Sequence, residues 1–366
     1  MSKTRSYRFL FAGGGTGGHL YPAVAVAEKV KLLLPEAEIM FIGTKSKIEG
    51  RVVPQLGYKF KSIWIKGYSR KLKLENILFP IKVVVSVIQS VIINMFYRPN
   101  VAIGSGGYVS GPAIFGSSVM GAKIILIEQN SYPGVTTKLL ERYANEIHIS
   151  FEDSKKYFRN KDKLFLTGNP VRESLTIVNR EEALKSFKLS TAKKTLFVLG
   201  GSLGAGSINK VIAESIVSLS EKNIQVIWQT GENYFDKYKS LSSDNIKIMA
   251  FVEKMNLAYS ACDLLLARAG ATTLAEILTL GIPAILVPSP NVAENHQYFN
   301  AKSLSDKNAA VLIEDKNLKN EFAEKVFSLI LDDIRLNELK KNSLKLSKPY
   351  AAETIAKNAI KYATEL

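Results

Sequence analysis

Short apolar runs recur along the chain, each stopped by glycines or small polar residues and followed by a stretch with helical spacing. Phe9-Leu10-Phe11-Ala12 breaks into Gly13-Gly14-Gly15-Thr16-Gly17-Gly18-His19, and an apolar helical stretch follows to Val30. Leu196-Phe197-Val198-Leu199 breaks into Gly200-Gly201-Ser202-Leu203-Gly204-Ala205-Gly206, with a helical stretch to Val217. The parallel continues. Ile39-Met40-Phe41-Ile42 ends at Gly43-Thr44, and Gln225-Val226-Ile227-Trp228 ends at Gln229-Thr230-Gly231. Val101-Ala102-Ile103 ends at Gly104-Ser105-Gly106-Gly107, and Asp263-Leu264-Leu265-Leu266 ends at Ala267-Arg268-Ala269-Gly270. Residues 123–127 end at Glu128-Gln129-Asn130, and residues 284–287 end at Pro288-Ser289-Pro290.

Short buried strands separated by helical patterns predict right-handed βαβ crossovers and parallel sheets. The fold class predicted is α/β, with two Rossmann-like domains facing one ligand cleft. In such sheets ligands bind beyond the carboxyl ends of the strands, where these glycine and polar clusters all fall. Gly168-Asn169-Pro170-Val171-Arg172 ends the last strand of the first half and marks the boundary. The expected division is residues 1–171, residues 172–348, and a terminal helix over residues 349–366 that packs back on the first domain. Ala352, Ile355, Ala356, Ala359 and Ile360 form the apolar face of that helix.

A length of 366 residues with 46% hydrophobic content suits two cored domains. The single cysteine, Cys262, excludes an internal disulfide framework, and His19, His148 and His296 lack zinc spacing. No metal and no cofactor is expected. The first apolar stretch runs straight into glycines, so it does not read as a secretory signal. Forty-nine Lys and Arg against 33 Asp and Glu give a net charge of +16, which points to anionic lipid, phosphorylated substrates or nucleic acid. No zinc finger, aromatic RNA-binding motif or basic tail supports nucleic acid.

Residues 77–97 are long and apolar enough for a bilayer span. Pro80, Lys82, Gln89 and Asn94, and a position where a crossover helix is required, favour a partly buried helix with an exposed apolar edge. Lys66, Arg70, Lys71 and Lys73 precede it, with Trp64, Tyr68 and Phe79. Such a mixture resembles an interfacial anchor on anionic lipid, and an ordinary amphipathic surface is the plainer reading.

Gly13, Gly15 and Gly18 have dinucleotide-type spacing, but such a fingerprint needs an acidic residue about 20 positions on, at the end of the second strand. Gly43-Thr44-Lys45 stands there, which demotes that reading. His19 begins the first helix, whose N-terminus disfavours the imidazolium; a neutral ring can serve as general base or merely bond within the turn. Arg268-Ala269-Gly270-Ala271-Thr272-Thr273-Leu274-Ala275-Glu276 is a second helix entrance. Its N–H groups and hydroxyls suit a diphosphate, and Glu276 suits a ribose diol or simply complements the helix dipole. Arg172 suits a diphosphate or a hinge ion pair.

Together these stretches resemble the MurG family of peptidoglycan N-acetylglucosaminyltransferases. Those that carry the resemblance are Gly14 to His19, Gly104-Ser105-Gly106-Gly107-Tyr108-Val109-Ser110-Gly111-Pro112, Glu128-Gln129-Asn130, Gly168 to Arg172, Gly200-Gly201-Ser202, Arg268 to Ala271 with Glu276, and His296-Gln297-Tyr298-Phe299-Asn300-Ala301. The resemblance implies a GT-B fold whose parallel sheets face a central cleft. It implies inverting transfer of N-acetylglucosamine from UDP-N-acetylglucosamine to an undecaprenyl-diphospho-muramoyl-pentapeptide, forming a β-1,4 bond at the cytoplasmic face of the membrane. By motif, Thr16, Gly17 and Gly18 would approach the nucleotide-sugar diphosphate or acceptor, and Gly106, Gly107 and Tyr108 would lie on the acceptor side. Asn130 and Gln297 would hold the sugar, and Arg172 and Ser202 would touch the diphosphate. The backbone at Val252 would read uracil, and Ala271, Thr272, Thr273, Leu274, Ala275 and Glu276 would bind diphosphate and ribose. His19 is the expected base, with Glu128 its rival. Ile127 and Leu203 stand where the family usually has histidine and often has glutamine. A UDP-N-acetylglucosamine epimerase and a non-catalytic nucleotide-sugar or lipid-binding protein are the alternatives.

Overall fold

The computed structural model describes residues 6–67, 78–201, 203–292 and 295–365. Ser202, Tyr68, Arg70, Lys71 and Lys73 therefore lie outside the described residues. The chain forms two compact units, Met1–Arg172 together with Lys348–Leu366, and Glu173–Ser347.

The first unit runs β1 (Arg8–Ala12), α1 (Gly17–Leu33), β2 (Glu38–Gly43), α2 (Ile48–Gln55), β3 (Lys59–Ser62) and α3 (Phe79–Tyr97). It continues with β4 (Val101–Gly104), α4 (Ser110–Val119), β5 (Lys123–Glu128), α5 (Val135–Leu140), β6 (Glu146–Ile149) and β7 (Leu164–Leu166). The second unit runs α6 (Arg180–Ser186), β8 (Lys194–Leu199), α7 (Gly206–Glu214), α8 (Ile216–Glu221), β9 (Ile224–Gln229), α9 (Glu232–Tyr238) and β10 (Ile246–Met249). After these come α10 (Met255–Ala261), β11 (Leu264–Ala267), α11 (Ala271–Leu280), β12 (Ala284–Leu286), α12 (His296–Ser305), β13 (Val311–Leu312), α13 (Leu318–Ile330) and α14 (Asp333–Leu346). The last helix, α15 (Ala351–Thr364), belongs to the first unit.

Both sheets are parallel, ordered β3-β2-β1-β4-β5-β6-β7 and β10-β9-β8-β11-β12-β13. Each reverses direction of travel beside its first strand, between β1 and β4 and between β8 and β11, and opens a crevice at the carboxyl ends there. The central strands are apolar along residues 9–12 and 196–199 because both faces are covered there. In the first unit Phe9, Phe11 and Phe41 meet α1 and α15, while Leu10, Ala102 and Leu126 meet α4. In the second, Trp228 is fully buried, and its indole N–H donates to Asn209 Oδ1 at 2.9 Å.

The strands read from the longest apolar runs are all present. β3 and β10 carry no such signal because they are sheet edges, and β3 alternates Lys59 and Lys61 with residues that are only partly covered. The second glycine-turn helix does not continue to Val217: α7 stops at Glu214, and α8 begins after Ser215.

The amphipathic sense of α3 is reversed. Its buried residues are Ser86, Ser90 and Asn94, and its outer face carries Ile81, Val84, Ile88, Ile92 and Met95, all exposed. The serine hydroxyls are satisfied within the helix, and Ser117 of α4 donates to Asn94 Oδ1 at 2.8 Å. Small residues allow α4 to come close, and a Cβ on Gly116 would stand 3.0 Å from Ser90. The segment after β3 is tied to the same helix, with the Trp64 N–H donating to Gln89 Oε1 at 2.7 Å.

Ile355 of α15 is fully buried in the core of the first unit. Ile355→Ala is expected to cost that unit about 2–5 kcal/mol. Scanning calorimetry should show one of two thermal transitions falling in temperature and the other unmoved. A common fall of both would contradict the assignment of this helix to one unit.

Candidate active site

The crevice of the first unit is built from the loops after β1, β4 and β5. Thr16 is the exposed N-cap of α1, and Gly17, Gly18 and His19 form the helix's first turn, which contains no acidic residue. His19 Nδ1 lies 3.0 Å from the Ser105 carbonyl oxygen. A carbonyl can only accept, so Nδ1 carries the proton and the neutral ring presents Nε2 as its lone-pair nitrogen. The Gln129 side chain is a second partner of the ring, and its amide also donates to the Ser105 carbonyl at 2.8 Å. Gly106 has φ +90 and supports the ring closely: a Cβ there would meet Nδ1 at 2.8 Å. Burial pushes the His19 pKa below its usual value, outweighing the hydrogen bonds to Ser105 and Gln129 and the charge of Glu49, which push it up. The neutral ring expected from the helix dipole thus has burial as its main cause.

Tyr108 follows Gly106 and Gly107, and its ring lies against Gly15 and Gly67. Its phenol bonds the Thr44 side chain, and burial raises its pKa. Glu128 ends β5 and is buried. One oxygen accepts from Asn130 N–H at 3.0 Å and from the Asn130 side-chain amide at 3.3 Å, and the other accepts from Gly134 N–H at 3.0 Å. Burial raises its pKa against these bonds and one from the Thr137 side chain. The carboxylate thus braces its own loop and aims Asn130. Arg172 stands apart from this group: its guanidinium lies over the Tyr21 ring at 4.6 Å and acts on Glu28, one helical face of α1.

In the second unit the loops at the same edge follow β8, β9, β10, β11 and β12. Gln229 joins two of them, its amide donating to Gly201 O at 3.0 Å and its oxygen accepting from Val252 N–H at 2.8 Å. The Val252 N–H is therefore engaged within the protein. Ala271, Thr272 and Thr273 open α11, Leu274 and Glu276 are buried on it, and Ala275 is partly covered. The Thr272 hydroxyl oxygen is buried and finds no hydrogen-bond partner among the described residues. A hydroxyl so placed, beside the N–H groups of a helix start, is suited to an anionic oxygen. Tyr259 donates its phenol to Glu276 Oε2 at 2.7 Å. Gln297, in the first turn of α12, accepts from Ser289 N–H at 2.9 Å. Arg268 is an internal brace, bonded to the Val287 and Pro288 carbonyls, Ser207 and Asp315.

Gln229, Tyr259 and Glu49 carry no motif that reveals them, whereas Gln129 lies within the stretch Glu128-Gln129-Asn130. Gln229 does stand at a strand end, which is the one signal that marks it. Among the described residues no group of three or more His, Cys, Asp and Glu side chains is arranged to hold a metal ion.

Residues 9–149 match the family model of the glycosyltransferase family 28 N-terminal domain, and residues 195–355 match that of its C-terminal domain. The chain is 43% identical over 358 residues to the UDP-N-acetylglucosamine–N-acetylmuramyl-(pentapeptide) pyrophosphoryl-undecaprenol N-acetylglucosamine transferase of Flavobacterium psychrophilum, covering 97% of each. The protein of the same name from Thermoanaerobacter sp. is 39% identical over 358 residues, 96% of this chain and 98% of the relative. The crystal structure of Acinetobacter baumannii MurG matches with a TM-score of 0.75 over 97% of this chain and 99% of that one, at 24% identity, a likeness of fold.

The hydrogen bond to Ser105 and the burial of the ring set the titration of His19. Nitrogen-detected NMR should find the Nδ1–H tautomer and a protonation midpoint below 6.5, the ordinary value. Because the unfolded ring binds its proton more readily, the folded protein should lose stability as pH falls through 6.5 toward the lowered value. A midpoint at or above 6.5, or an Nε2–H ring, would contradict the geometry.

Proposed function

The chain belongs to the family of UDP-N-acetylglucosamine–N-acetylmuramyl-(pentapeptide) pyrophosphoryl-undecaprenol N-acetylglucosamine transferases, with the GT-B fold, and on that premise we propose how its residues carry out the transfer. It moves N-acetylglucosamine from UDP-N-acetylglucosamine to the lipid-linked muramoyl-pentapeptide, making the disaccharide lipid of peptidoglycan synthesis.

The observation that carries the mechanism is the tautomer of His19, whose unprotonated Nε2 is free of the bond to Ser105. As the C1–O bond to UDP breaks, the acceptor hydroxyl attacks C1 and gives its proton to Nε2, and UDP leaves with both electrons of the broken bond. Inversion at C1 and a β-1,4 bond follow from a single displacement. Glu128 is the weaker candidate for base because both its oxygens already accept hydrogen bonds. The charge gathering on UDP is met by the α11 N-terminus and the unpartnered Thr272 hydroxyl. Glu276, steadied by Tyr259, takes the ribose hydroxyls. The alternative class, a binding protein without chemistry, has no use for a partly buried neutral histidine at a helix start.

The acceptor's polyprenyl chain stays in the bilayer, so the first unit works as a peripheral protein on the cytoplasmic face of the membrane. The outward stripe of α3, with Trp64 exposed and the Lys82 ammonium 5.6 Å from its ring centroid, is the surface that meets lipid. The net charge of +16 favours anionic headgroups.

A transfer assay with UDP-N-acetylglucosamine and lipid acceptor tests the chemistry. His19→Ala is expected to lower kcat by about a hundredfold or more, with donor affinity little changed. A near-normal kcat at saturating acceptor would remove His19 as base.

Vesicle flotation tests the surface. Replacing Ile88 and Ile92 together by aspartate should abolish binding to anionic vesicles at low salt while the fold and UDP affinity persist, since both side chains point outward. Wild-type protein that ignored such vesicles, or that stayed bound through high salt and carbonate, would overturn the peripheral reading.

A further inference from the structure

Gly43-Thr44-Lys45 offers no acidic residue at the end of the second strand, yet a carboxylate occupies that place. It is delivered from α2, where Glu49 is 1% exposed. Glu49 Oε1 accepts from Thr44 N–H at 3.0 Å and from the Thr44 hydroxyl at 2.6 Å, while Oε2 accepts from Gly15 N–H at 2.9 Å. All three partners donate, so a carboxylate fits them together and an amide would oppose an N–H to one of them. The chain leaves room for it: a Cβ on Gly14 would lie 2.5 Å from Glu49 Cδ, and one on Gly43 would lie 2.5 Å from Cγ. Gly15 itself has φ +85, a conformation open to glycine. With its oxygens committed inside the protein, Glu49 binds no ribose. It joins the end of β2 to the glycine turn that begins α1.

We propose that Glu49 is a positioning residue for the transfer: it locks the glycine turn through Gly15 and Thr44, sets His19 at the start of α1, and places a fixed negative charge behind the imidazolium that forms when His19 takes the acceptor proton. The proposal rests on the reading of His19 as base. Geometry and charge both connect the two residues. Three residues, Thr16 to Gly18, separate Gly15 from His19 in the first turn of α1, and Thr44 also bonds Tyr108, which lies against Gly15. Among the described groups acting on His19, Glu49 is the charged one, and it raises the ring's pKa; Ser105 and Gln129 are the uncharged partners. Lys66 acts on Tyr108 across the same network.

Glu49→Gln and Glu49→Asp separate the two contributions. E49Q keeps the size and loses the charge and one of the three bonds. Its kcat should fall about tenfold to a hundredfold with the donor KM near wild type, and the acid limb of its kcat profile should move to lower pH. The His19 midpoint, read by NMR without substrate, should fall with it. E49D keeps the charge but cannot span both partners, so its kcat should fall with the acid limb unmoved. Near-normal kcat in either folded variant would overturn the proposal, and E49D carries the test if E49Q does not fold. An unmoved His19 midpoint in folded E49Q would reduce Glu49 to shape alone and overturn its electrostatic part. Absence of transfer by the wild-type protein would instead overturn the function on which this rests, and the NMR measurement stands apart from that outcome.

Discussion

Parallel pairing of every strand is the constraint from which the rest of each unit follows. Parallel strands need a crossover between each pair, and the handedness of crossovers puts helices on both faces of the sheet. All strands then end at one edge. Loops that close the βα turns collect there, and the reversal between β1 and β4, and again between β8 and β11, leaves a gap that no crossover covers. His19, Ser105 and Gln129 meet because they follow β1, β4 and β5 at that edge, although they are far apart in the chain. Gly201, Gln229 and Val252 meet by the same rule in the second unit.

Loops in such gaps lack the ladder hydrogen bonds of the strands, and this protein steadies them with buried carboxylates. Glu49 gathers Gly15 and Thr44, Glu128 gathers Asn130 and Gly134, and Glu276 is steadied by Tyr259. A carboxylate accepts from several N–H groups at once, and each bond offsets part of the cost of burying it. Where Asp315 pairs with Arg268, the ion pair is also bonded to Ser207, so neither charge is left alone in a covered place.

Much of the architecture is legible in the chain because central parallel strands are continuous apolar runs, as at Phe9 to Ala12 and Leu196 to Leu199, and because glycines mark where they stop. Edge strands are not: β3 carries lysines on a half-exposed ribbon, and a two-residue strand such as β13 has no period to read. The position of His19 at a helix entrance is legible, but its tautomer is not, because the partner that sets it is a backbone oxygen of Ser105. Glu49 eludes sequence reading for a related reason. The rule for dinucleotide sites looks for an acid on the strand, and here the acid reaches the strand end from the following helix. The inward serines of α3 are visible as residues, yet which face of that helix looks outward depends on Gly116 of the neighbouring α4.

The first unit is discontinuous in sequence, since α15 completes a core begun by β1 and α1, and Glu146 of β6 accepts hydrogen bonds from Asn358 and Tyr362 of that helix. A ribosome making this chain releases β1 and α1 well before α15. The apolar face of α1 must therefore wait, uncovered by its partner helix, through synthesis of the entire second unit. Domains that lie wholly within one stretch of chain can finish folding as soon as that stretch emerges, but this one can finish only once α15 has emerged as well. A nascent chain that has not yet released α15 thus exposes apolar surface in the part of the fold that holds His19.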